Sequence, residues 1–277
     1  MLILAATPIG NLSDSSQRLI EALAESKFIA AEDTRTLLKL ANGLGIKLNA
    51  TLFSLHEHNE SDRVAKILAI AQDEDVLVVS DAGMPTISDP GFVLVRAAIE
   101  ADIAVSVIPG PSAVLAALSV SGLPTDRFTF EGFLPRKNGE RTSAFEDLSG
   151  ETRTMVFFES PHRLTESLES AAKVFGSDRL ASVSRELTKK FEETKRGTLE
   201  TLIEWSKTEP KGEMVLVIAG FTRIEEINLA DLVESVEKLR NSGLSLKQSV
   251  AEVASANGVG KSELYKEVLD SRSSSPK

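Results

Sequence analysis

Two aspartates flank a loop whose composition suits the binding of a small ligand. The apolar run Val76–Val79 ends at Ser80, and the segment SDAGMPTISDPG (80–91) follows, with Asp81, Asp89, two prolines and two glycines. The segment matches neither G-x-G-x-x-G nor G-x-x-x-x-G-K-[ST], and its carboxylates would repel a phosphate. Carboxylates at the end of a strand instead favour a ligand that carries a positive charge and hydroxyl groups.

Two further loops, ATPIGNLSD (6–14) and IPGPSAV (108–114), also follow apolar runs. Loops after parallel strands meet at one edge of a sheet, so we expect the three to lie together. The side-chain donors in this set are the hydroxyls of Ser80, Thr86, Ser88 and Ser112. Together with backbone N–H groups and carboxylates, they suit a ligand with a ribose diol and a cationic centre, such as S-adenosylmethionine. Taken singly, each loop is better explained as a tight turn, and it is the three in this order that favour a binding site.

The composition is that of an ordinary globular chain, with 42% hydrophobic and 26% charged residues in a length of 277. The net charge of −10 argues against a protein that coats nucleic acid by electrostatics alone. The middle of the chain nevertheless carries basic clusters, such as Arg136, Lys137 and Arg141. The absence of cysteine, of a signal peptide and of an apolar run of membrane length predicts a cytoplasmic protein without a membrane partner.

Alternating apolar runs and amphipathic stretches predict an α/β fold. Near-continuous apolar strands separated by helices indicate a parallel sheet in residues 1–122, and a second α/β domain with a more mixed sheet follows in 123–224. Residues 225–277 are predicted to form a small helical extension with a helix–turn–helix rhythm and a disordered tail from Asp270.

Seven segments in this order resemble the tetrapyrrole-methylase superfamily. They are LAATPIGNLSD, AEDTR, HEHNE, VVSDAGMPTISDPG, VIPGPSA, FEGFLP and FFESPHRL, and they lie within residues 2–220. Within that superfamily the chain is most similar to the bacterial enzymes that methylate a cytidine ribose of 16S rRNA at the 2′-oxygen, in the decoding region of the small subunit. The resemblance implies two α/β domains of class III methyltransferase type with a helical C-terminal extension.

The resemblance also implies S-adenosylmethionine in the cleft between the domains, a homodimer, and 16S rRNA as partner, within the assembled 30S subunit. Carried over by motif, the cofactor-binding positions are Pro8, Gly10, Asp81, Gly83, Met84, Pro85, Thr86, Ile87, Ser112, Ala113 and Ala219.

Several charged motifs have a structural explanation beside a functional one. Asp33 in AEDTR is a typical helix N-cap, with Arg35 in a surface ion pair. His56 and His58 would share one face of a strand, but a third metal ligand is not evident and we predict no metal site. ESPHR (159–163) is typical of a helix start, SRELTKKFEE (184–193) of an ion-paired surface helix, and Phe133 and Phe158 of core residues.

In the family interpretation the same motifs face the cleft. A ribose hydroxyl is a weak acid, so a proton acceptor is expected. The candidates for that catalytic role are Glu32, His56, His58 and Glu159. The candidates for contact with RNA are Arg35, His162, Arg163, Arg185 and Lys189.

Three other functions stay open at this point. A tetrapyrrole or precorrin-type methyltransferase would share the loops but needs a broad apolar trough for a macrocycle. A regulator that binds S-adenosylmethionine without catalysis would share the cavity alone. A nucleic-acid-binding protein built on the C-terminal helices is disfavoured by the acidic net charge.

Overall fold

The computed structural model describes residues 1–56, 60–221 and 228–273. The chain divides into two compact units, residues 1–221 and 222–277. The first unit contains two five-stranded sheets, and the second contains helices. The predicted boundary at 122/123 stays a prediction, and the one at 224/225 lies outside the described residues.

The first sheet is wholly parallel, as predicted. Its strands are β1 (Leu2–Ala5), β2 (Phe28–Ala31), β3 (Thr51–Ser54), β4 (Val76–Val79) and β5 (Val105–Ile108), and its helices are α1 (Gln17–Glu25), α2 (Thr34–Gly43), α3 (Glu60–Ala71), α4 (Phe92–Glu100) and α5 (Ala113–Ser121). The strand order β3-β2-β4-β1-β5 places β1 between β4 and β5. The three strands that precede the Pro/Gly loops are therefore neighbours.

Helices cover both faces of this sheet because side chains alternate along each strand. In β4, Val76 and Val78 belong to the core cluster beneath α3 and α4, whereas Leu77 and Val79 belong to the cluster beneath α1 and α2. All four side chains are buried. The apolar run that looked uniform in the sequence thus serves two cores.

The second sheet is mixed, which confirms that prediction. Its strands are β6 (Phe128–Phe133), β7 (Thr154–Glu159), β8 (Leu180–Arg185), β9 (Glu193–Thr198) and β10 (Met214–Ile218), and its helices are α6 (Asn138–Asp147), α7 (Leu164–Phe175) and α8 (Leu199–Ser206). The order is β6-β7-β10-β8-β9, with β6 parallel to β7 and the other pairs antiparallel.

One helix links the two sheets. α5 follows the first sheet in sequence, yet its residues Val114, Ala117 and Leu118 pack with Val156 and Val215 of the second sheet. The other face of the second sheet is covered by α6, α7 and α8. Ile9, from the loop after β1, belongs to the same cluster, so this core joins the second sheet to a loop of the first.

The prediction of a surface helix over 184–193 is wrong. Residues 186–192 form turns, and β9 follows as an edge strand that pairs only with β8 among the described strands. The sequence ETKRGT is charged and lacks apolar alternation, and none of its six residues is fully buried, as is typical of an edge strand.

The helical extension is confirmed as α9 (Leu229–Asn241), α10 (Leu246–Asn257) and α11 (Lys261–Ser273). Their core contains Val236, Val250, Val253, Leu264 and Val268. The tail is partly misjudged, since α11 continues through Ser273, and residues 274–277 lie outside the described part. Within that part, no helix is long and apolar enough to cross a membrane.

A close contact between two loops yields the first prediction. A Cβ added at Gly110 would lie 2.9 Å from the Cβ of Ala6, which is fixed to the β1 backbone and cannot move aside alone. We therefore expect Gly110→Ala to lower the free energy of unfolding by about 1–3 kcal/mol in urea denaturation.

The matched control is Gly139→Ala in the first turn of α6, where an added Cβ meets nothing within 4 Å. That change should raise stability by about 0.5–1 kcal/mol, since alanine is the better helix former. Equal effects at both glycines would contradict the close packing of the two loops.

Candidate active site

A cavity of about 630 Å³ lies between the two sheets of the first unit. Its size is that of a pocket for a nucleoside-sized ligand. The first half of the chain contributes Ile9, Glu32, Asp81 to Met84, Ile87 to Asp89, and Ser112 to Val114. The second half contributes Phe133, Phe158 to Pro161, Glu186, Leu187, Lys189, and Gly212 to Val215.

Hydrogen bonds hold the first and second loops together. Thr7 donates its backbone N–H to the carbonyl of Gly83 at 2.9 Å, and Gly83 donates back to the carbonyl of Thr7 at 3.1 Å. The hydroxyl of Thr7 donates to the Ser80 carbonyl, and that of Ser80 to the Gly83 carbonyl. Gly83 has a φ of 84°, a conformation that favours glycine. These contacts confirm that the predicted loops meet at one sheet edge.

The second loop is held in a strained conformation beside the cavity. Thr86 and Ser88 have φ values of 77° and 61°, which residues other than glycine rarely adopt. The backbone N–H of Thr86 donates to the carbonyl of Pro90 at 3.2 Å, which closes the loop. Strain of this kind is retained where the surrounding structure fixes a functional geometry.

Carboxylates dominate the polar lining. Among the described residues of the cavity, six carry a carboxylate and Lys189 alone carries a basic group. The carboxylates are those of Glu32, Asp81, Asp89, Glu159, Glu186 and Glu213. This charge distribution favours a cation over a phosphate.

Glu32 and Asp81 connect the ends of β2 and β4. The carboxylate of Glu32 accepts the backbone N–H of Asp81 at 3.1 Å, and the carboxylate of Asp81 accepts that of Asp33 at 3.1 Å. Burial raises the pKa of Asp81 above its ordinary value. Burial also raises the pKa of Asp89 to about 7, and the negative charge of Glu32 adds to that shift.

On the opposite wall, Glu159 is buried, and both oxygens of its carboxylate have hydrogen-bond partners. Its carboxylate accepts the Ser160 backbone N–H at 2.7 Å and the Ser167 hydroxyl at 2.5 Å, and it pairs with the Arg163 guanidinium at 2.5 Å. Arg163 also donates to the carbonyl of Leu134 at 3.1 Å. These contacts fix the end of β7 to the turn and the helix that follow it.

A second ionic network lies at the turn after β8. The Lys189 ammonium donates to Glu186 and to Glu213, each at 3.0 Å. The hydrogen bond from Lys189 lowers the pKa of Glu186. Gly10 leaves room for the lysine stem, since an added Cβ there would meet the Cγ of Lys189 at 2.5 Å.

Nine predicted site residues line the cavity: Glu32, Asp81, Gly83, Met84, Ile87, Ser112, Ala113, Glu159 and Lys189. Others flank it within the same loops, namely Pro8, Gly10, Pro85 and Thr86. The roles assigned to all of them stay predictions.

Ala219 lies away from the cavity. β10 is antiparallel to β7 and β8, so its first residues, Met214 and Val215, reach the cavity and Ala219 follows its far end. The prediction assumed that the carboxyl end of this strand faces the ligand, which holds for parallel neighbours but not here.

The predicted histidines that the structure describes do not line the cavity. His56 is half-buried and follows the end of β3, outside the cavity lining of the described residues, so the expectation of two imidazoles on one strand face is wrong. His58 lies outside the described residues. His162 is exposed in the 3₁₀ turn Pro161–Arg163, whose first residue, Pro161, lines the cavity.

Two predicted arginines are held by acidic neighbours. Asp33 caps α2 through the Arg35 backbone N–H, as predicted, and its carboxylate binds the Arg35 guanidinium at 2.6 Å. Those hydrogen bonds hold the pKa of Asp33 at about 2. Arg185 binds Glu193 of β9 at 2.7 Å. Arg35 is nevertheless 84% exposed and accessible to a partner.

Some lining residues were not assigned to the cofactor. Ser88 and Asp89 were named as polar groups of the second loop, and Ile9 and Ala82 lie inside loops that the sequence singled out, so the loops themselves were the available signal. Gly212 to Val215 offered no local signal, because their position depends on strand direction. Phe133 was predicted to lie in the core, and this is wrong, since it is 61% exposed.

Residues 1–203 match the family described as tetrapyrrole (corrin/porphyrin) methylases. The chain belongs to this family.

Several curated relatives match nearly the whole chain. The protein named ribosomal RNA small subunit methyltransferase I of Mycobacterium tuberculosis (strain CDC 1551 / Oshkosh) is 46% identical, with 98% of this chain and 95% of the relative covered. The protein of the same name from Escherichia coli O157:H7 is 44% identical, with 97% and 94% covered.

Several solved structures share the fold. The methyltransferase CobJ matches with a TM-score of 0.60 and 19% identity, covering 79% of this chain and 93% of that protein. A diphthine synthase matches with a TM-score of 0.58 and 15% identity, covering 79% and 89%. The shared part supports the two-sheet architecture.

The raised pKa of Asp89 yields the second prediction. In the unfolded chain this carboxyl ionises near pH 4, but in the folded protein only near pH 7, so its ionisation lowers stability as the pH rises through that window. We expect Asp89→Asn to stabilise the protein at pH 8 relative to wild type, and to do so much less at pH 5, in urea denaturation.

The control is the same exchange at Asp14, an exposed carboxylate in the 3₁₀ turn at the end of the first loop. Taking the difference between variant and wild type at each pH removes the contributions of all other groups. If the stability difference between Asp89→Asn and wild type is the same at pH 5 and pH 8, the pKa of the Asp89 carboxyl is not raised by folding.

Proposed function

We propose that this chain transfers a methyl group from S-adenosylmethionine to the 2′-hydroxyl of a cytidine ribose in the decoding region of 16S rRNA. The observation that carries the proposal is the acidic cavity at the sheet edge, in a chain whose relatives across 97–98% of its length are named ribosomal RNA small subunit methyltransferases. The cavity suits the donor, and the relatives' names support the substrate.

The residues of the cavity fit the methyl donor chemically. S-adenosylmethionine supplies a methyl group already activated on a positively charged sulfonium. Glu32, Asp81 and Asp89 provide negative charge, and the raised pKa of Asp89 marks a site where a cation would relieve repulsion. The Ser112 hydroxyl and the backbone of Met84 offer polar groups for a ribose and an amino acid moiety.

The protein's main contribution is orientation. Holding two reactants in attack geometry is worth ~7–11 kcal/mol. The paired first and second loops and the fixed turn at Thr86 supply a wall that is ordered before any ligand arrives. Such preorganisation is consistent with a donor that needs no further activation.

Among the three predicted proton acceptors that the structure describes, Glu32 has the best position. It lines the cavity and is half-buried, with its carboxylate held by the backbone N–H of Asp81. Glu159 also lines the cavity, but its oxygens already serve Arg163, Ser160 and Ser167. We therefore assign Glu32 to accept the proton of the ribose hydroxyl and Glu159 to position the end of β7.

Contact with RNA is assigned to the exposed cationic side chains near the cavity. Arg35 and His162 are exposed, although Arg35 pairs with Asp33. Lys189, Arg163 and Arg185 are largely buried and are bound to carboxylates. The latter three would shape the walls. With a net charge of −10, shape must supply affinity that charge does not, so the assembled 30S subunit is the proposed substrate.

A homodimer is part of the proposal. Large apolar side chains are exposed on α4 and on the edge strand β5, among them Phe92 at 64%, Ile99 at 62% and Val107 at 45%. Exposed apolar surface of this kind is typical of a protein interface. A cytoplasmic location follows from the proposed substrate.

The third prediction tests the activity in cells. We take a bacterial strain that lacks its own ribosomal RNA small subunit methyltransferase I. Expression of this chain should restore one 2′-O-methylcytidine in its 16S rRNA, mapped by mass spectrometry of nuclease fragments. Glu32→Gln keeps an oxygen for the Asp81 N–H but removes the proton acceptor, and it should leave that site largely unmodified.

Glu25→Gln, at the exposed end of α1, is the matched control and should restore methylation fully. An unmodified site with the wild-type chain would reject rRNA as substrate and leave the tetrapyrrole alternative or a non-catalytic role. Full methylation by Glu32→Gln would reject the assignment of the proton acceptor alone.

A further inference from the structure

An exposed phenylalanine stands at the cavity without a role so far. Phe133 is 61% exposed and lines the cavity together with half-buried Phe158. A large apolar side chain left open at a ligand site costs free energy in water, since about 25 cal/mol are lost for each Å² of apolar surface not buried. A ligand that covers this ring would recover that free energy.

A β-bulge turns Phe133 towards the cavity. The pairing of β6 with β7 runs from Phe130↔Val156 to Gly132↔Phe157, so Glu131 is an extra residue. Gly132 at the bulge has a φ of 71°, which favours glycine. The bulge faces the strained loop of the first sheet, because a Cβ added at Gly132 would stand 3.7 Å from the hydroxyl oxygen of Ser88.

Neighbouring rings hold Phe133 in place. Its ring centroid lies 5.3 Å from that of Phe158 with an angle of 61° between the planes, and Phe158 makes a similar contact with Phe130 at 4.9 Å. Edge contacts of this kind orient the ring, and the exposed fraction shows that much of its surface stays open. An oriented and open ring is a ready stacking surface.

The surrounding charge selects what can stack there. The carboxylates of the cavity would repel a phosphate, so a nucleotide of a polynucleotide can enter with its base and sugar while its backbone stays outside. A base that leaves its helix for an enzyme site is usually held by stacking on an aromatic side chain. Phe133 lies on β6, an edge strand of its sheet, on the accessible side.

We propose that Phe133 is the stacking platform for the base of the nucleotide that is methylated, an inference that rests on the proposed function. The ring binds the base and thereby brings its ribose to the site of methyl transfer. Because every base has a π-face, the platform supplies affinity and position rather than recognition of cytosine.

The test compares variants of the full-length protein on 30S subunits that lack the modification. Phe133→Ala should lower kcat/KM for methylation about 10- to 100-fold, the range expected for loss of one base–aromatic stack. The Kd for S-adenosylmethionine, measured by calorimetry, should stay within about twofold of wild type. Phe133→Trp and Phe133→Tyr should keep most of the activity, and Phe133→Leu should behave like alanine.

A substrate change isolates the base itself. With 30S subunits reconstituted from 16S rRNA whose target ribose carries no base, wild type should lose the advantage it has over Phe133→Ala, because the base that would stack on the ring is missing. Phe128→Ala, at the far end of the same strand and outside the cavity lining, is the control and should methylate like wild type.

Each contrary result has a distinct meaning. Unchanged kcat/KM in Phe133→Ala, or full activity in Phe133→Leu, would overturn the stacking role while wild-type methylation upholds the proposed function. A tenfold rise in the Kd for S-adenosylmethionine would place the donor's adenine on this ring instead. No methylation by wild type would overturn the proposed function, and the platform with it.

Discussion

The chemistry of the cavity depends on one constraint, the repulsion between carboxylates that its walls hold close together and partly bury. Glu32 and Asp89 come from different strand ends, yet the charge of one raises the pKa of the other, and burial raises it further. Asp81 is raised by burial as well. A cation bound among these carboxylates would relieve their repulsion, so the cavity favours a positively charged ligand. The same charges keep phosphates out, which divides the cavity between a cationic donor and the base and sugar of an acceptor.

The topology brings these groups together and limits how far they can separate. β1 lies between β4 and β5, so the three loops leave neighbouring strands, and the mutual hydrogen bonds of Thr7 and Gly83 join two of them directly. The opposite wall comes from β7, from the turn after β8 and from the start of β10. Because β10 is antiparallel to its neighbours, its amino end completes the cavity. α5 packs on the second sheet, and Ile9 of the first loop belongs to the same core cluster, so the two walls share packed residues.

Much of this could be predicted from the sequence, and the failures share a physical cause. The parallel sheet, the three loops and the acidic lining followed from apolar runs and from the positions of Pro, Gly and Asp. Ala219 failed because strand direction is a long-range property that the residues of β10 do not encode. The edge strand β9 was missed because exposed strands need no apolar alternation. Phe133 was placed in the core because an aromatic in an alternating strand normally lies there, and the bulge at Gly132 reverses that expectation.

The central claim is that the cavity selects a positive charge, and calorimetry tests it most directly. S-adenosylmethionine and S-adenosylhomocysteine differ by one methyl group and the sulfonium charge. Neutralising one carboxylate changes the ratio of their dissociation constants only through its interaction with that methylsulfonium group. At pH 8 we predict that Asp89→Asn weakens binding of the sulfonium compound by roughly tenfold more than binding of the neutral thioether. An equal loss for both compounds, or none for either, would contradict the account.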